Sequence, residues 1–289
     1  LLAPTGRAAK VFSAYAGHPA FTIHKKIYRQ QSYSNEFTNF SINDNLATNT
    51  LFIVDEASMI SNEGLSGSVF GTGRLLDDLI QFVYSGQGCR LLLMGDTAQL
   101  PPVGEELSPA LFADALKGYG LEVREISLIQ VVRQVQESGI LWNATQLRQL
   151  IAEDECYSLP KIKITGFPDI KQAPGTELIE ELTNCYDHDG MDETIVIYTV
   201  LEDYIDIPNK RDRMKKMKVD PHYNALQVKY AYAVTCHKAQ GGQWQNVFLD
   251  QGYMTDEYLT PDYFRWLYTA FTRATKTLYL VNYPEGQVE

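Results

Sequence analysis

No apolar run approaches the roughly 20 residues that a bilayer-spanning helix needs, and none of the four cysteines, Cys89, Cys156, Cys185 and Cys236, stands in a C-x-x-C pair. The first absence points to a soluble chain. The second excludes a zinc knuckle and a disulfide framework and leads to the expectation of a reducing, cytoplasmic setting. Basic residues are outnumbered, 25 Lys and Arg against 36 Asp and Glu, and the net charge of -11 argues against wholesale coating of nucleic acid while leaving room for a local basic groove. The given residues begin without Met, and no signal peptide is expected from them. The chain opens in an apolar strand ending, Leu1-Leu2-Ala3, which reads as the interior of a domain with further sequence expected upstream. At 289 residues and 45% hydrophobic content, the chain can bury one large core or two domains of ordinary size.

What is present is organised around Leu51-Phe52-Ile53-Val54-Asp55-Glu56. Four apolar residues read as a buried strand of a parallel sheet, and two carboxylates follow where such sheets place their chemistry. Desolvated acids call for a cation, and Mg²⁺ bound to a nucleotide phosphate fits: Asp55 would hold it through water and Glu56 would orient or deprotonate an attacking water. The plainer alternative is a helix start capped by Asp55. A second strand of the same kind, Arg90-Leu91-Leu92-Leu93-Met94-Gly95-Asp96, runs into a polar turn with Gln99 and a Pro-Pro stop. Two neighbouring strands ending in acids would align Asp55, Glu56, Asp96 and Gln99 along one sheet edge as a phosphate and metal site.

Along the rest of the chain, Pro4-Thr5-Gly6-Arg7 reads as a turn into a helix reaching about Ala16, whose free N–H groups suit an anion or simply begin a helix. Phe21-Thr22-Ile23-His24-Lys25-Lys26 is a second candidate contact segment. Residues 30–50 turn polar with spaced aromatics and suggest a hairpin or loop excursion. Residues 61–73 read as a loop and 74–84 as an amphipathic helix. A strand is expected at 121–128, then a helix through Ile151, irregular chain at 156–174, a helix at 176–185 and a buried strand at 194–199. Six basic residues within 210–218 read as a solvated helix face. Strands are expected at 228–234, 247–250 and 277–281, with Thr235-Cys236-His237-Lys238-Ala239-Gln240-Gly241 as a turn that can present donors to phosphate, and 265–274 as a helix. Arg273 at its end is an ordinary place for a dipole-matching residue.

Taken in order, Val-Asp-Glu-Ala-Ser (54–58), Gly-Asp-x-x-Gln-Leu-Pro-Pro-Val (95–103), Val-Val-Arg-Gln (131–134), Thr-Cys-His-Lys-Ala-Gln-Gly (235–241) and Tyr-Thr-Ala-Phe-Thr-Arg-Ala (268–274) resemble the motif set of superfamily-one helicases. The fit is best to the RecD-like branch, which includes the exonuclease V alpha subunit and is related to Dda and Pif1. The resemblance implies an α/β fold of two RecA-like domains with mostly parallel sheets flanked by helices. The first would span 1–125, incomplete at its N-terminus and carrying a short pin-like excursion at 30–50; the second would span 126–289. ATP, with Mg²⁺, would bind between them and single-stranded DNA, or its junction with duplex, across their tops. Carried over, Asp55 holds Mg²⁺, Glu56 is the catalytic base, and Gln99 with Asp96 senses the γ-phosphate. Gly95 and Gln134 belong with the nucleotide, and Arg133 and Arg273 are arginine fingers, a device worth roughly 10³ to 10⁵ in rate. Pro4, Thr5, Gly6, Arg7, Thr22 and His24 would line the DNA path on the first domain, and Thr235, His237, Lys238 and Gln240 on the second.

The sequence departs from the family twice. No Gly-x-x-x-x-Gly-Lys-Ser/Thr occurs, so the phosphate-cradling loop that the family carries just upstream of the Leu1 strand is absent from these residues, and weak ATP binding is expected of the chain alone. The SH3-like barrel common in the family is missing near 199–230, where about 35 residues are too few to build one. The expected function is an ATP-dependent helicase or translocase, 5′ to 3′ by analogy. Its rivals are a helicase-nuclease component and a catalytically silent DNA-binding subunit.

Overall fold

The computed structural model describes residues 1–30, 40–64, 68–128, 138–198, 233–252, 254–255 and 259–289. The tip of the 30–50 excursion, Arg133, Gln134, the basic run at 210–218 and the 199–230 gap lie outside the described residues. The chain divides into two compact units, Leu1–Gln130 and Val131–Glu289.

In the first unit, β1 (Leu2–Ala3), β2 (Phe21–Thr22), β5 (Leu51–Val54) and β6 (Arg90–Leu93) form a wholly parallel sheet in the order β2-β1-β5-β6. Helix α1 (Gly6–Ala16) starts where Thr5 Oγ1 accepts from Ala8 N at 3.2 Å, and stops at Gly17, whose φ of 65° suits a residue without a Cβ. Helix α2 (Ile23–Ile27) is capped in the same way by Thr22. It leads into β3 (Tyr28–Gln30), which pairs antiparallel with β4 (Phe40–Ile42), so the polar excursion is hairpin-based. Helix α3 (Leu75–Ser85) places Asp77 and Asp78 in its first turn and buries Leu76, Leu79, Ile80 and Val83 against Phe52 and Val54. α4 (Ala113–Lys117) closes the unit.

Strand alternation divides the sheet's faces. Phe52 and Val54 join the α3 core, whereas Leu51 on the opposite face is 52% exposed and Leu92 43% exposed. This corrects the expectation of two fully buried strands: β6 is an edge strand with one open face. Residues 121–128, expected as a strand, form no regular element, with Ile126 and Leu128 among the most exposed apolar side chains. The apolar spacing there is real, but no neighbour pairs with it among the described residues.

The second unit carries α5 (Gly139–Ala152), β7 (Ile170–Ala173), α6 (Leu178–Asp189), β8 (Thr194–Tyr198), β9 (Ala233–Thr235), α7 (Cys236–Ala239), β10 (Trp244–Asp250), α8 (Pro261–Phe271) and β11 (Ala274–Val281). Its five strands are all parallel, in the order β7-β11-β10-β8-β9. Phe248 and Tyr279 stack at 4.2 Å under α6, while Val247, Leu249, Leu278 and Leu280, pointing the other way, are wholly buried. Covering on both faces is what continuous apolar strands require. Two local expectations need correction. The segment 156–174 is not all irregular, because Ile170–Ala173 adds β7 to the sheet edge. The motif after β9 is a short helix, α7, rather than a bare turn.

Candidate functional site

Because β1, β2, β5 and β6 run parallel, their carboxyl ends share one edge. Pro4 to Arg7 leave β1 there, Thr22 leaves β2, Asp55 and Glu56 leave β5, and Gly95 and Asp96 follow β6. The strand ends are stitched by main-chain bonds: Asp55 N donates to Leu2 O at 3.0 Å, Met94 N to Val54 O at 2.8 Å and Ala57 N to Met94 O at 2.8 Å. Glu56 adopts φ 53° and ψ 39°, a left-handed conformation that costs a non-glycine residue energy and that clusters at functional positions. Its amide is held by Asp55 Oδ1 at 2.9 Å. The chain thus turns sharply off the strand, leaving both carboxylates half-buried at the edge.

The second acidic strand end is built differently. Asp96 Oδ1 accepts from Ala98 N at 3.0 Å and Asp96 O from Gln99 N at 3.2 Å, a turn that folds Gln99 inward to 8% exposure. Gly95 sits where a Cβ would come within 2.9 Å of Ser58 N and 3.0 Å of Leu111 Cδ1, so this approach of the two strand ends needs glycine. Two buried polar atoms here have no hydrogen-bond partner, Ser58 Oγ and Gln99 Oε1. A buried polar atom left unpaired costs about 1–3 kcal/mol. An edge with such atoms beside acids fits a ligand that brings hydroxyl donors and a cation, as a hydrated Mg²⁺ on a nucleotide does.

Sequence reasoning overlooked Glu105, whose Oε1 accepts from Asn62 N at 2.6 Å and Glu63 N at 3.1 Å and also binds Ser61 Oγ. It clamps the loop after Ser58 to the loop after Gln99. A link across more than forty residues leaves no local pattern to find. Ser58 was legible only as part of Asp-Glu-Ala-Ser, with no role attached.

The proposed DNA-facing residues of the first unit are of two kinds. Thr5 and Thr22 use their hydroxyls to cap α1 and α2, whereas Arg7 is exposed and Pro4 partly so. His24 packs edge-on to Phe70 at 5.1 Å and beside Tyr28 at 5.6 Å, and burial lowers its pKa from the ordinary histidine value. In the second unit, Thr235 ends β9, His237 and Lys238 are exposed on α7, and Gln240 is buried at 4%. Arg273 is 3% exposed and bonds within its own unit, to Thr269 O at 3.0 Å, Gly242 O at 3.2 Å and Thr272 Oγ1 at 3.0 Å.

Residues 1–155 match the AAA domain family and residues 230–281 the UvrD-like helicase C-terminal domain. Over 142 residues the chain is 32% identical to the ATP-dependent RecD2 DNA helicase of Deinococcus radiodurans, a match covering 49% of this chain and 16% of that much longer protein. Among solved structures, the PRRSV helicase is similar at a TM-score of 0.44 and 14% identity, over 99% of this chain and 47% of that one. With the AAA domain match extending over more than half of its length, the chain belongs to the AAA domain family, and a match to the UvrD-like helicase C-terminal domain follows it.

Proposed function

We propose that the chain is the motor core of an ATP-dependent DNA helicase or translocase that moves along single-stranded DNA, 5′ to 3′. The observation that supports this best is the pairing of β5 and β6 in parallel register, which brings Asp55-Glu56 and Gly95-Asp96 to one edge with Gln99 folded in behind them. In this reading Asp55 would hold the hydrated Mg²⁺ of ATP, which when bound would supply positive charge against the phosphates. Glu56, pointed by its left-handed backbone, accepts the proton of the attacking water. Gln99 and Asp96 meet the γ-phosphate, and Arg133 and Arg273 add positive charge as it leaves. Arg7, His24, His237 and Lys238, with Pro4, Thr5, Gly6, Thr22, Thr235 and Gln240, contact the DNA strand. Gln134 and Gly95 belong to the nucleotide side. Cycles of ATP binding and hydrolysis alternate the grip of the two surfaces.

The test is single-stranded-DNA-stimulated ATP hydrolysis, measured on the chain and on a form extended upstream through a phosphate-cradling loop. The extended form is expected to hydrolyse ATP when DNA is added, and Glu56→Gln to lower that rate by about 10² to 10⁴, the span of general-base catalysis. DNA-independent hydrolysis, or a Glu56→Gln rate near that of the parent, would refute the assignment.

A further inference from the structure

Between Gln99 and Glu105 the chain has little freedom. Pro101 and Pro102, both buried, fix two successive φ angles, and Glu105 N donates to Pro102 O at 3.0 Å to close a turn in which Gly104 has φ 94°. Residues 99–105 thus form a stiff arm, with Gln99 folded inward at one end and the Glu105 carboxylate presented at the other. One oxygen of that carboxylate, Oε1, takes three donors: Asn62 N at 2.6 Å, Glu63 N at 3.1 Å and Ser61 Oγ. An ionised carboxylate only accepts, and its bonds are roughly twice as strong as those between neutral partners. The seat is itself anchored, because Leu76 N donates to Ser61 O and Asp77 N to Asn62 Oδ1, both at 3.2 Å, from the first turn of α3. Between Glu56 and Ser61 the chain is wound tightly by Met59 N to Glu56 O and Ile60 N to Ala57 O, each at 3.1 Å. The two loops are therefore tied twice, by Ala57 N to Met94 O at the strand ends and by Glu105 beyond them. Glu56 sits beside the first tie, and Gln99 lies between the two.

We propose that Glu105 is a positioning residue, which through the 99–105 arm sets where Gln99 stands relative to Glu56. This rests on the proposed function, in which Glu56 takes the proton of the attacking water and Gln99 meets the γ-phosphate. Those roles need water and phosphate held in one geometry, and a misplacement of about 1 Å can cost about 10²-fold in rate. In that reading Glu105 itself meets no reactant. Its removal therefore slows the bound complex without weakening its formation, so kcat falls while KM for ATP holds.

Two measurements test this. On the chain itself, Glu105→Ala is expected to speed hydrogen exchange about tenfold at amides 62 and 63, which lose a bond to a charged group, and also at amides 98 and 99, at the far end of the arm. Amides 52–54 in β5 are expected to hold within about twofold. Acceleration at 62 and 63 alone, or none at all, overturns the proposal by showing that the arm transmits nothing, and equal acceleration through β5 overturns it by revealing a general packing role. On the upstream-extended form with single-stranded DNA, Glu105→Ala is expected to lower kcat about 10- to 100-fold with KM for ATP within about twofold. Glu105→Gln, which keeps the reach and an acceptor, is expected to lose less, and Glu106→Ala, at an exposed neighbour, to match the parent. An unchanged kcat in Glu105→Ala, a loss confined to KM, or an equal loss in Glu106→Ala overturns the positioning role. A parent without DNA-stimulated hydrolysis sinks the helicase assignment instead, and the exchange pattern then decides the positioning role by itself.

Discussion

At the scale of single residues, backbone conformation and close approach decide more than side-chain type. Glu56 was identified by its place after an apolar strand, but its left-handed φ of 53° is a tertiary fact, enforced by Ala57 N reaching Met94 O. Gly95 was assigned to the nucleotide side by resemblance, and the structure supplies a different physical reason for glycine there. Gly95→Ala is expected to destabilise the first unit by about 1–3 kcal/mol through overpacking against Ser58 N and Leu111, read as a lowered urea midpoint; a midpoint equal to that of the parent refutes the contact. Asp189 is a second residue that sequence did not single out. It accepts from Lys276 Nζ at 2.6 Å, Asn246 Nδ2 at 2.8 Å and His188 Nδ1 at 3.1 Å, and these partners, Lys276 first, hold its carboxyl well below the ordinary range. A carboxyl with a depressed pKa stabilises the fold above its unfolded value and loses that contribution as pH falls. The melting temperature of the parent should therefore drop more steeply than that of Asp189→Asn between about pH 5 and about pH 3, and parallel slopes over that window would contradict the clamp.

At the scale of elements, the helix from the Pro4–Arg7 turn to Ala16 was legible, whereas α2 went unread behind its Thr22 cap and α8, expected at 265–274, begins earlier at Thr260 and Pro261. Such caps are local signals that act through the first-turn amides whatever the rest of the chain does. Strands were less so, because a strand is completed by its neighbours. The spacing at 121–128 found no partner among the described residues, while the weak stretch at 170–173 found β11. The hairpin base shows the same dependence on distant chain. Asp78, wholly buried in α3, accepts from Tyr28 Oη at 2.6 Å, Thr72 N at 3.0 Å and Thr72 Oγ1 at 2.8 Å, and Phe40 stacks on Phe70 at 4.6 Å beside it. Desolvation and the Asp78 carboxylate raise the Tyr28 pKa, so the phenol stays a donor across the working range. Asp78→Asn puts an amide donor against these donors. We expect a loss of about 1.5–3 kcal/mol with an unchanged denaturant slope, and proteolysis accelerated at the base of β3 and β4. Resistance equal to that of the parent would show that the aromatic stack alone holds the hairpin.

At the scale of the whole molecule, a net charge of -11 has to coexist with the proposed nucleic-acid path. The charged residues proposed for that path are few, Arg7 and Lys238 among the described ones, both exposed. For single strands the salt dependence of binding follows about 0.7 per phosphate neutralised, so two contacts give a slope of about -1.4 in log K against log salt. A slope near -4 would instead bring in the basic run at 210–218, which the composition alone reads as a solvated face.

The order and identity of the motifs are properties of the linear sequence, and by themselves they pointed to a helicase-like family, to the α/β class and to the acids proposed for the chemistry. Apolar strand, acid, polar turn and cap are each encoded within a few residues. Only the tertiary structure decided which strand ends meet, that β6 lies at an edge, that Glu105 clamps one loop to the next and that Arg273 is buried against Gly242. Those outcomes depend on hydrogen bonds and packing between residues tens of positions apart, where the pattern along the chain carries no record of distance.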